Sequence, residues 1–320
     1  MTATTGVTVY GCGGDEAALV RRLAPRLGVV PTLTEAPIGR ANVDLALGNR
    51  CVSVDHRTPV ANPVLRALRE VGVEYLSTRS IGRDHIDVDF ARSVGLTVAT
   101  VAYSPDGVAD YTVLLVLALV RDTGAVLRDT GDHGQRRPVG RELRDLTVGV
   151  VGTGRIGTAV IDRLRAFGCR VLAYDRHPKT DADYVPLDDL VRRSDVVTLH
   201  TPLDVTTHHL LDRRRLALLR PGSFVVNTGR GGLIDTEALV SALERGHLGG
   251  AALDVLENEE TLFSAERSPG RLDGTWLGRL RRLPTVLVSP HIAYRTDHAL
   301  ADIVAGTLVG CRDFERGRAA

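Results

Sequence analysis

The chain has 320 residues, of which 43% are hydrophobic and 25% are charged, a composition typical of a globular protein with a full core. Forty basic and 39 acidic side chains leave a formal net charge of +1, which argues against nucleic acid as a partner, because such proteins carry a basic excess. The longest apolar run, Val113–Val120, is too short to cross a membrane, and the N-terminus lacks the pattern of a secretion signal.

The four cysteines are far apart in the sequence and form no Cys-x-x-Cys pair. This spacing favours neither a disulfide framework nor a zinc site. We therefore expect small, buried, reduced side chains in a cytoplasmic protein. The cysteines are Cys12, Cys51, Cys169 and Cys311.

Short β-branched runs alternate with longer amphipathic ones, which predicts βαβ units and parallel sheets. In the first hundred residues the predicted strands are Val7–Tyr10, Cys51–Val54, Val73–Ser77 and Leu96–Val101. The predicted helices are Glu16–Leu27, Pro63–Val71 and a long one, Val108–Arg128. A polar, glycine-containing stretch from Thr130 to Gly140 follows.

The same alternation continues through the second half of the chain, so the whole chain is predicted to be α/β. The predicted strands here are Leu146–Val151, Arg170–Tyr174, Val196–Leu199, Ser223–Asn227, Gly250–Asp254 and Val286–Val288. The predicted helices include Thr158–Phe167, Thr236–Arg245 and a last one from Asp297 to about Glu315.

A glycine motif lies between the first strand and the first helix of this second half. Gly152 allows a tight turn, Gly154 lets the backbone reach a pyrophosphate, and Gly157 lets helix and strand pack closely. Asp175 ends the next strand, eighteen positions after Gly157, close to the spacing of dinucleotide-binding folds. The N–H groups at the start of the helix would hold the phosphates. The alternative is a glycine turn that binds no nucleotide. It is disfavoured because the motif follows a strand, opens a helix and has an acidic residue at the end of the next strand.

The cofactor preference depends on Asp175, which can accept hydrogen bonds from the ribose hydroxyls and repels a 2′-phosphate. NAD(H) is therefore favoured. Arg176 and Lys179 can partly compensate a phosphate, so NADP(H) stays open. The motif begins only at residue 152, after about 100 residues that already read as a complete small α/β unit, so a separate domain is expected before the cofactor domain.

Three candidate catalytic residues follow predicted strands, where parallel sheets present their ligands. They are Arg230, Glu259 and His291. Reduction of a 2-oxo acid needs a cation for the carboxylate and carbonyl, an acid to deliver a proton, and a carboxylate that keeps this acid charged. Taken singly, a residue of each of these types at such a position is more often a surface or structural residue. Spacing alone therefore does not assign a catalytic role to any of the three.

Together, in this order and over nearly the full chain, the motifs resemble those of the D-isomer-specific 2-hydroxyacid dehydrogenases. The matching segments are the glycine motif with Asp175, Asn227–Gly231, Asp254–Glu259 and Ser289–His291. The resemblance implies two Rossmann-like or flavodoxin-like parallel-sheet domains with an active-site cleft between them. Residues 1–103 plus 294–320 would form the substrate-binding domain and residues 104–293 the NAD-binding Rossmann domain. Arg230, Glu259 and His291 would be catalytic.

Within this family the chain is similar to the D-lactate dehydrogenase branch, particularly the pyruvate reductases of vancomycin-resistance gene clusters. The similar segments are Thr78–Asp87, Ala102–Pro105 and Leu253–Glu257. The substrate-binding residues that the resemblance implies are Ile81, Gly82, Tyr103, Arg230, His291 and Tyr294. The implied cofactor-binding residues are Thr112, Gly152, Gly154, Arg155, Ile156, Gly157, Asp175, Thr201, Pro202, Thr228, Gly229 and Asp254. Arg295 and Gly107 replace an aromatic residue and a serine that are common near the substrate.

The implied activity is NAD(P)H-dependent reduction of a small 2-oxo acid, foremost pyruvate to D-lactate, which would supply modified peptidoglycan precursors in vancomycin resistance. The alternatives are a reductase of a bulkier 2-oxo acid, glyoxylate or hydroxypyruvate, and an NAD(H)-sensing, corepressor-like binding protein. The family favours a homodimer. His208 and His209 are expected to be surface residues that point to different sides, so no metal site is expected.

Overall fold

The computed structural model describes residues 4–124, 139–259 and 275–317. The chain divides into two units, residues 1–104 with 295–320, and residues 105–294. The strands are β1 Thr5–Val9, β2 Val29–Leu33, β3 Cys51–Val54, β4 Tyr75–Thr78, β5 Thr97–Thr100, β6 Thr147–Val151, β7 Arg170–Tyr174, β8 Asp183–Tyr184, β9 Val196–Leu199, β10 Phe224–Asn227, β11 Gly250–Leu253 and β12 Val286–Val288. The α-helices are α1 Gly14–Leu27, α2 Asn62–Glu70, α3 Val88–Ser93, α4 Asp106–Val120, α5 Arg155–Ala166, α6 Leu187–Arg193, α7 Arg213–Leu218, α8 Thr236–Glu244, α9 Trp276–Arg282 and α10 Asp297–Glu315. Short 3₁₀ turns are Val43–Ala46, Leu143–Asp145 and Gly231–Leu233.

Each unit is built on one parallel sheet, which confirms the predicted pair of parallel-sheet α/β domains. The first sheet has the strand order β2-β1-β3-β4-β5 and the second β12-β11-β10-β9-β6-β7-β8. The order reverses between β1 and β3 in the first sheet and between β6 and β9 in the second. In open parallel sheets, ligands bind outside the carboxyl ends of the strands at such reversals. The glycine turn directly follows β6.

Every predicted strand has an observed counterpart whose ends differ by at most two residues. The prediction missed the edge strands β2 and β8. Strand β2 contains Pro31, which lacks an N–H donor and is tolerated at a sheet edge. The predicted helix Val108–Arg128 is too long, because α4 ends at Val120 and Asp122 leaves the helical region with a φ of 48°. Residues 125–128 lie outside the described residues.

The last helix, α10, completes the core of the first unit. Its residues Val304, Leu308 and Cys311 pack with Val7 of β1 and Cys51 of β3. Thr296 caps the start of this helix, since its hydroxyl accepts a hydrogen bond from the Ala299 N–H. All four cysteines are free and buried, as expected.

Among the described residues, every helix is too short or too polar to span a lipid bilayer.

We expect Leu308→Ala to lower the free energy of unfolding by about 2–5 kcal/mol, because the side chain is fully buried between α10 and the first sheet. Leu47 is 64% exposed, so Leu47→Ala is the matched control and should change it by less than about 0.5 kcal/mol. Urea denaturation measures both values. Equal effects of the two substitutions would contradict the packing of α10.

Candidate active site

The turn between β6 and α5 requires glycine at two positions. Gly152 has a φ of 93°, and a Cβ atom there would lie 2.6 Å from the main-chain oxygen of His200. At Gly157, in the first turn of α5, a Cβ atom would lie 1.9 Å from the main-chain oxygen of Gly152. A side chain at Gly157 would therefore push the helix away from the strand, as the motif predicts.

Gly154, by contrast, faces open space. A Cβ atom at this position would meet nothing within 4 Å. No side chain caps α5 at Gly154, so the first N–H groups of this helix are available to a ligand, with exposed Arg155 and half-buried Ile156 beside them. Across the strand-order reversal, the Thr201 hydroxyl is buried and has no hydrogen-bond partner among the described residues. An open helix N-terminus with an unpaired donor nearby fits a dinucleotide diphosphate.

Asp175 directly follows β7 and faces the glycine turn. Its carboxylate accepts hydrogen bonds from the Thr153 N–H at 2.6 Å and the His177 N–H at 2.8 Å. Burial raises the pKa of Asp175, but the hydrogen bonds from Thr153 and His177 outweigh it and hold the pKa below its usual value. Asp175 therefore stays ionised, and its negative charge favours ribose hydroxyls over a 2′-phosphate. Arg176 is turned toward Asp204, with an N–O distance of 3.4 Å.

His200 supports the turn from behind and is a residue that sequence reasoning missed. Its N–H donates to the oxygen of Val151 at 2.7 Å, and its Nε2 lies 3.0 Å from the Thr198 hydroxyl. Burial lowers the pKa of His200 to about 3, so the ring is neutral. The available signal was a histidine directly after an apolar strand, on the side of the sheet where the glycine turn lies.

The turn after β10 carries Arg230 in an extended conformation. The Asn227 side chain spans this turn, because its amide donates to the Arg230 oxygen at 2.9 Å and its own oxygen accepts from the Gly229 N–H at 3.0 Å. A Cβ atom on Gly231 would lie 2.0 Å from the main-chain carbon of Leu256. The Arg230 turn therefore packs directly on the segment that follows β11.

The other expected cofactor residues lie around these turns. The hydroxyl of Thr228 is 2.8 Å from that of Thr112, which is completely buried on α4 and also donates to the Val108 oxygen at 2.8 Å. Thr112 thus supports Thr228 from inside the protein. Pro202 is exposed, and its main-chain oxygen accepts a hydrogen bond from Thr207 at 2.7 Å.

His291 and Glu259, 32 residues apart in sequence, are in direct contact. Nδ1 of His291 lies 2.7 Å from Oε1 of Glu259, and the two side chains are 13% and 18% exposed. The other Glu259 oxygen accepts from the Leu256 N–H at 3.2 Å, which holds the carboxylate in place. The Tyr294 ring stands edge-on to the imidazole at 6.1 Å. Because Nδ1 faces Glu259, Nε2 is the ring atom that can exchange a proton with a substrate.

Asp254, expected at the cofactor, shapes the turn that carries His291. Its carboxylate accepts hydrogen bonds from the Ser289 hydroxyl at 2.6 Å and from the N–H groups of Ile292 and Ala293 at 3.0 and 2.8 Å. Its main-chain oxygen accepts from the His291 N–H at 2.8 Å. His291 has a φ of 53°, a strained value for a residue other than glycine, and these bonds hold the turn in that conformation.

In the first unit, the implied substrate residues Ile81 and Gly82 lie in the turn that follows β4. Arg79, just before them, is buried and donates to the Ser53 hydroxyl at 3.0 Å and to the Tyr10 oxygen at 2.8 Å. It thereby ties the ends of β1, β3 and β4 together beneath this turn. Tyr103 is half-buried in the segment before α4.

The expectation that His208 and His209 point to different sides is wrong. Their rings stack with centroids 4.0 Å apart. Alternation of neighbouring side chains holds in regular elements, whereas His209 lies in a loop with a φ of 49°.

Comparison with known proteins decides the family. The model of the D-isomer specific 2-hydroxyacid dehydrogenase NAD-binding domain matches residues 113–293. A D-specific alpha-keto acid dehydrogenase from Enterococcus faecium is 49% identical over 313 residues, which cover 97% of each chain. The chain belongs to the D-isomer-specific 2-hydroxyacid dehydrogenases.

Solved structures of dehydrogenases are similar to this chain over nearly its full length. D-lactate dehydrogenase from Aquifex aeolicus, complexed with NAD and lactic acid, has a TM-score of 0.87 and 30% identity, covering 98% of this chain and 96% of that one. D-2-hydroxyisocaproate dehydrogenase has a TM-score of 0.86 and 33% identity, and the match covers 98% of this chain and 97% of that one. The predicted family, NAD cofactor and enzyme class are confirmed. The chain is an NAD-dependent oxidoreductase that interconverts 2-oxo acids and 2-hydroxy acids.

We expect Gly154→Ala to weaken NADH binding about tenfold or more while leaving the free energy of unfolding within about 0.5 kcal/mol of the wild type. The added methyl group meets no protein atom, but it occupies the space in front of the α5 N-terminus. Fluorescence titration with NADH and urea denaturation measure the two quantities.

Gly157→Ala is the matched comparison. Its Cβ atom would overlap the Gly152 oxygen, so this variant should lose stability as well as NADH affinity. Unchanged NADH binding in Gly154→Ala would contradict the placement of the diphosphate at this turn.

His200→Gln should flatten the acid side of the stability profile of this dehydrogenase. Because the folded pKa of His200 is about 3, the unfolded chain alone binds a proton here between about pH 6.5 and 3. This group then destabilises the wild type by about 1.4 kcal/mol per pH unit as the pH falls through that window, and has no such effect above it. Urea denaturation from pH 7 to 4.5 measures the difference, with exposed His298→Gln as the control for losing a histidine. Parallel profiles of wild type and His200→Gln would rule out a neutral, buried His200.

Proposed function

We propose that this dehydrogenase reduces pyruvate to D-lactate with Arg230, Glu259 and His291 as its catalytic residues. The observation that carries the proposal is the 2.7 Å contact between His291 Nδ1 and the Glu259 carboxylate, held beside the turn that presents Arg230. NADH, when bound at the glycine turn, supplies the hydride that C2 of the substrate receives.

Arg230 binds the carboxylate and the C2 carbonyl oxygen of the 2-oxo acid. Its planar guanidinium offers two parallel N–H donors, an arrangement that a lysine ammonium does not provide. These donors draw electron density from the carbonyl and so make C2 a better hydride acceptor. The Asn227 side chain fixes the main chain on both sides of Gly229 and so limits where the guanidinium lies.

His291 supplies the proton. The protonated ring donates its Nε2 proton to the carbonyl oxygen as negative charge develops there, while Glu259 holds Nδ1. The substrate gains one hydride on carbon and one proton on oxygen and becomes a 2-hydroxy acid. In the reverse direction the neutral ring takes the hydroxyl proton back.

For the substrate, the proposal draws on the first unit. The resemblance assigns the substrate carboxylate to the N–H groups of Ile81 and Gly82, and a small side chain to the face of Tyr103. Arg79 supports this assignment, because its buried guanidinium holds the turn before Ile81 in one position. The name of the Enterococcus relative, D-specific alpha-keto acid dehydrogenase, agrees with the 2-oxo acid class.

The proposal extends to the biological role. The segments Thr78–Asp87 and Ala102–Pro105 resemble those of pyruvate reductases from vancomycin-resistance clusters, so D-lactate made here would enter modified peptidoglycan precursors. We place the enzyme in the cytoplasm as a homodimer, in keeping with its four free, buried cysteines and with its family. Cell-wall precursors ending in D-lactate, measured by mass spectrometry with and without the gene, test the role, and light scattering tests the dimer.

Reduction of a bulkier 2-oxo acid is the second candidate. The fold is shared with a D-2-hydroxyisocaproate dehydrogenase, whose named substrate has a branched side chain. Arg295, where the family commonly has an aromatic residue, is engaged with Asp15 at 2.5 Å within the first unit. Position 295 therefore carries a paired arginine in place of the aromatic ring that is common near the substrate in this family.

A substrate panel separates these candidates. We expect kcat/KM with NADH to be larger for pyruvate than for branched, aromatic, glyoxylate or hydroxypyruvate substrates, and larger with NADH than with NADPH. A larger kcat/KM for a branched or aromatic 2-oxo acid would reject pyruvate as the preferred substrate. Absence of NADH oxidation with every 2-oxo acid would instead favour the NAD(H)-sensing binding protein.

We expect His291→Ala to lower kcat by a factor of about 10² or more, as expected for the loss of a positioned acid, with little change in the Kd of NADH. His298→Ala, which removes an exposed ring on α10, is the matched control and should retain wild-type kcat. Stopped-flow and steady-state NADH oxidation give the rates. A His291→Ala enzyme with normal kcat would exclude His291 as the acid.

A further inference from the structure

Two loops outside the proposed catalytic residues bring together three metal-ligating side chains. His208 and His209 lie in the loop after β9, and Glu257 follows β11. Nε2 of His209 is 2.8 Å and Nε2 of His208 is 3.9 Å from the same oxygen of Glu257. The three ligating atoms all lie within 4.8 Å of one another.

The main chain fixes this arrangement. His209 takes its left-handed φ while its N–H donates to the Gly232 oxygen at 2.8 Å, which turns its ring to the same side as that of His208. Glu257 is held from the other direction, because its main-chain nitrogen packs against Gly231 so closely that a Cβ there would lie 2.3 Å away. The backbone therefore places these two residues, and the adjoining His208, next to one another before any ligand binds.

The spacing suits a tetrahedral ion. With bonds of about 2.0–2.1 Å, neighbouring ligand atoms of a tetrahedral zinc site are about 3.3 Å apart. The distances from the Glu257 oxygen to the two histidine nitrogens, 2.8 and 3.9 Å, lie on either side of this value, so small side-chain rotations would equalise them. The side chains of His208, His209 and Glu257 are 55%, 33% and 22% exposed, which leaves the fourth position open to water.

We propose that His208, His209 and Glu257 bind a divalent transition-metal ion of the Zn²⁺ type. Two imidazole nitrogens and one carboxylate oxygen are a known donor set for zinc, whereas Mg²⁺ and Ca²⁺ prefer oxygen ligands throughout. The proposal departs from the sequence-based expectation that the chain has no metal site. Bound metal would join the loop after β9 to the segment after β11, on either side of the turn that carries Arg230.

Isothermal titration of the full chain with ZnCl₂, after removal of metal and of any affinity tag, tests the site. The wild type should bind one equivalent, and His208→Ala, His209→Ala and Glu257→Gln should each weaken binding about tenfold or more. Glu257→Gln keeps the size of the side chain and removes its charge. His298→Ala, which removes an exposed histidine near Asp302 on α10, is the control and should bind as the wild type does.

Co²⁺ gives a second measurement that does not depend on activity. Tetrahedral nitrogen and oxygen ligands should produce the intense visible absorption of four-coordinate Co²⁺ in the wild type and in His298→Ala, and Zn²⁺ should displace it. The band should be lost in Glu257→Gln, whose folding is checked by thermal denaturation in EDTA. Equal Zn²⁺ affinity of the wild type and all three variants, or no binding to the wild type, would overturn the proposal.

Discussion

The contact between His291 and Glu259 is the interaction on which the proposed chemistry depends. It exists because β11 and β12 are adjacent and parallel, so the segments that leave their carboxyl ends meet at one edge of the second sheet. Asp254, directly after β11, binds the turn after β12 through three hydrogen bonds and keeps His291 in a left-handed conformation that residues other than glycine seldom adopt. The buried Asp254 carboxylate therefore orients the turn, and the Glu259 carboxylate orients the His291 ring.

The same edge of the sheet determines where the other functional groups lie. Gly231 packs against the segment after β11, so the position of the Arg230 turn is coupled to the segment that carries Glu259. On the far side of β9 the glycine turn follows β6, with neutral His200 behind it and the ionised Asp175 beside it. The carboxyl ends of β6, β7, β9, β10, β11 and β12 thus present the groups proposed for the cofactor and for the chemistry in this unit, except Thr112, which lies on α4.

The sequence predicted most strands because apolar, β-branched runs between glycine-rich turns carry a strong local signal. Strand β2 was missed because Pro31 is typical of loops and is tolerated only by its edge position. The glycine turn could be predicted residue by residue, since Gly152 and Gly157 answer local steric demands and Gly154 leaves open space for a ligand. The position of Asp254 under the histidine turn and the stacking of His208 on His209 could not, because both depend on contacts between segments far apart in sequence and on left-handed backbone at His291 and His209.

The central claim is that Glu259 acts through His291, and a double-mutant cycle on kcat/KM tests it most directly. Residues that act as one unit give strongly non-additive losses, because removing either one removes the function of the pair. If Glu259 works only by holding the imidazole, Glu259→Gln will slow the wild-type enzyme but will not slow the His291→Ala enzyme further. If the two losses multiply in the double variant, Glu259 acts independently of His291 and this account is wrong.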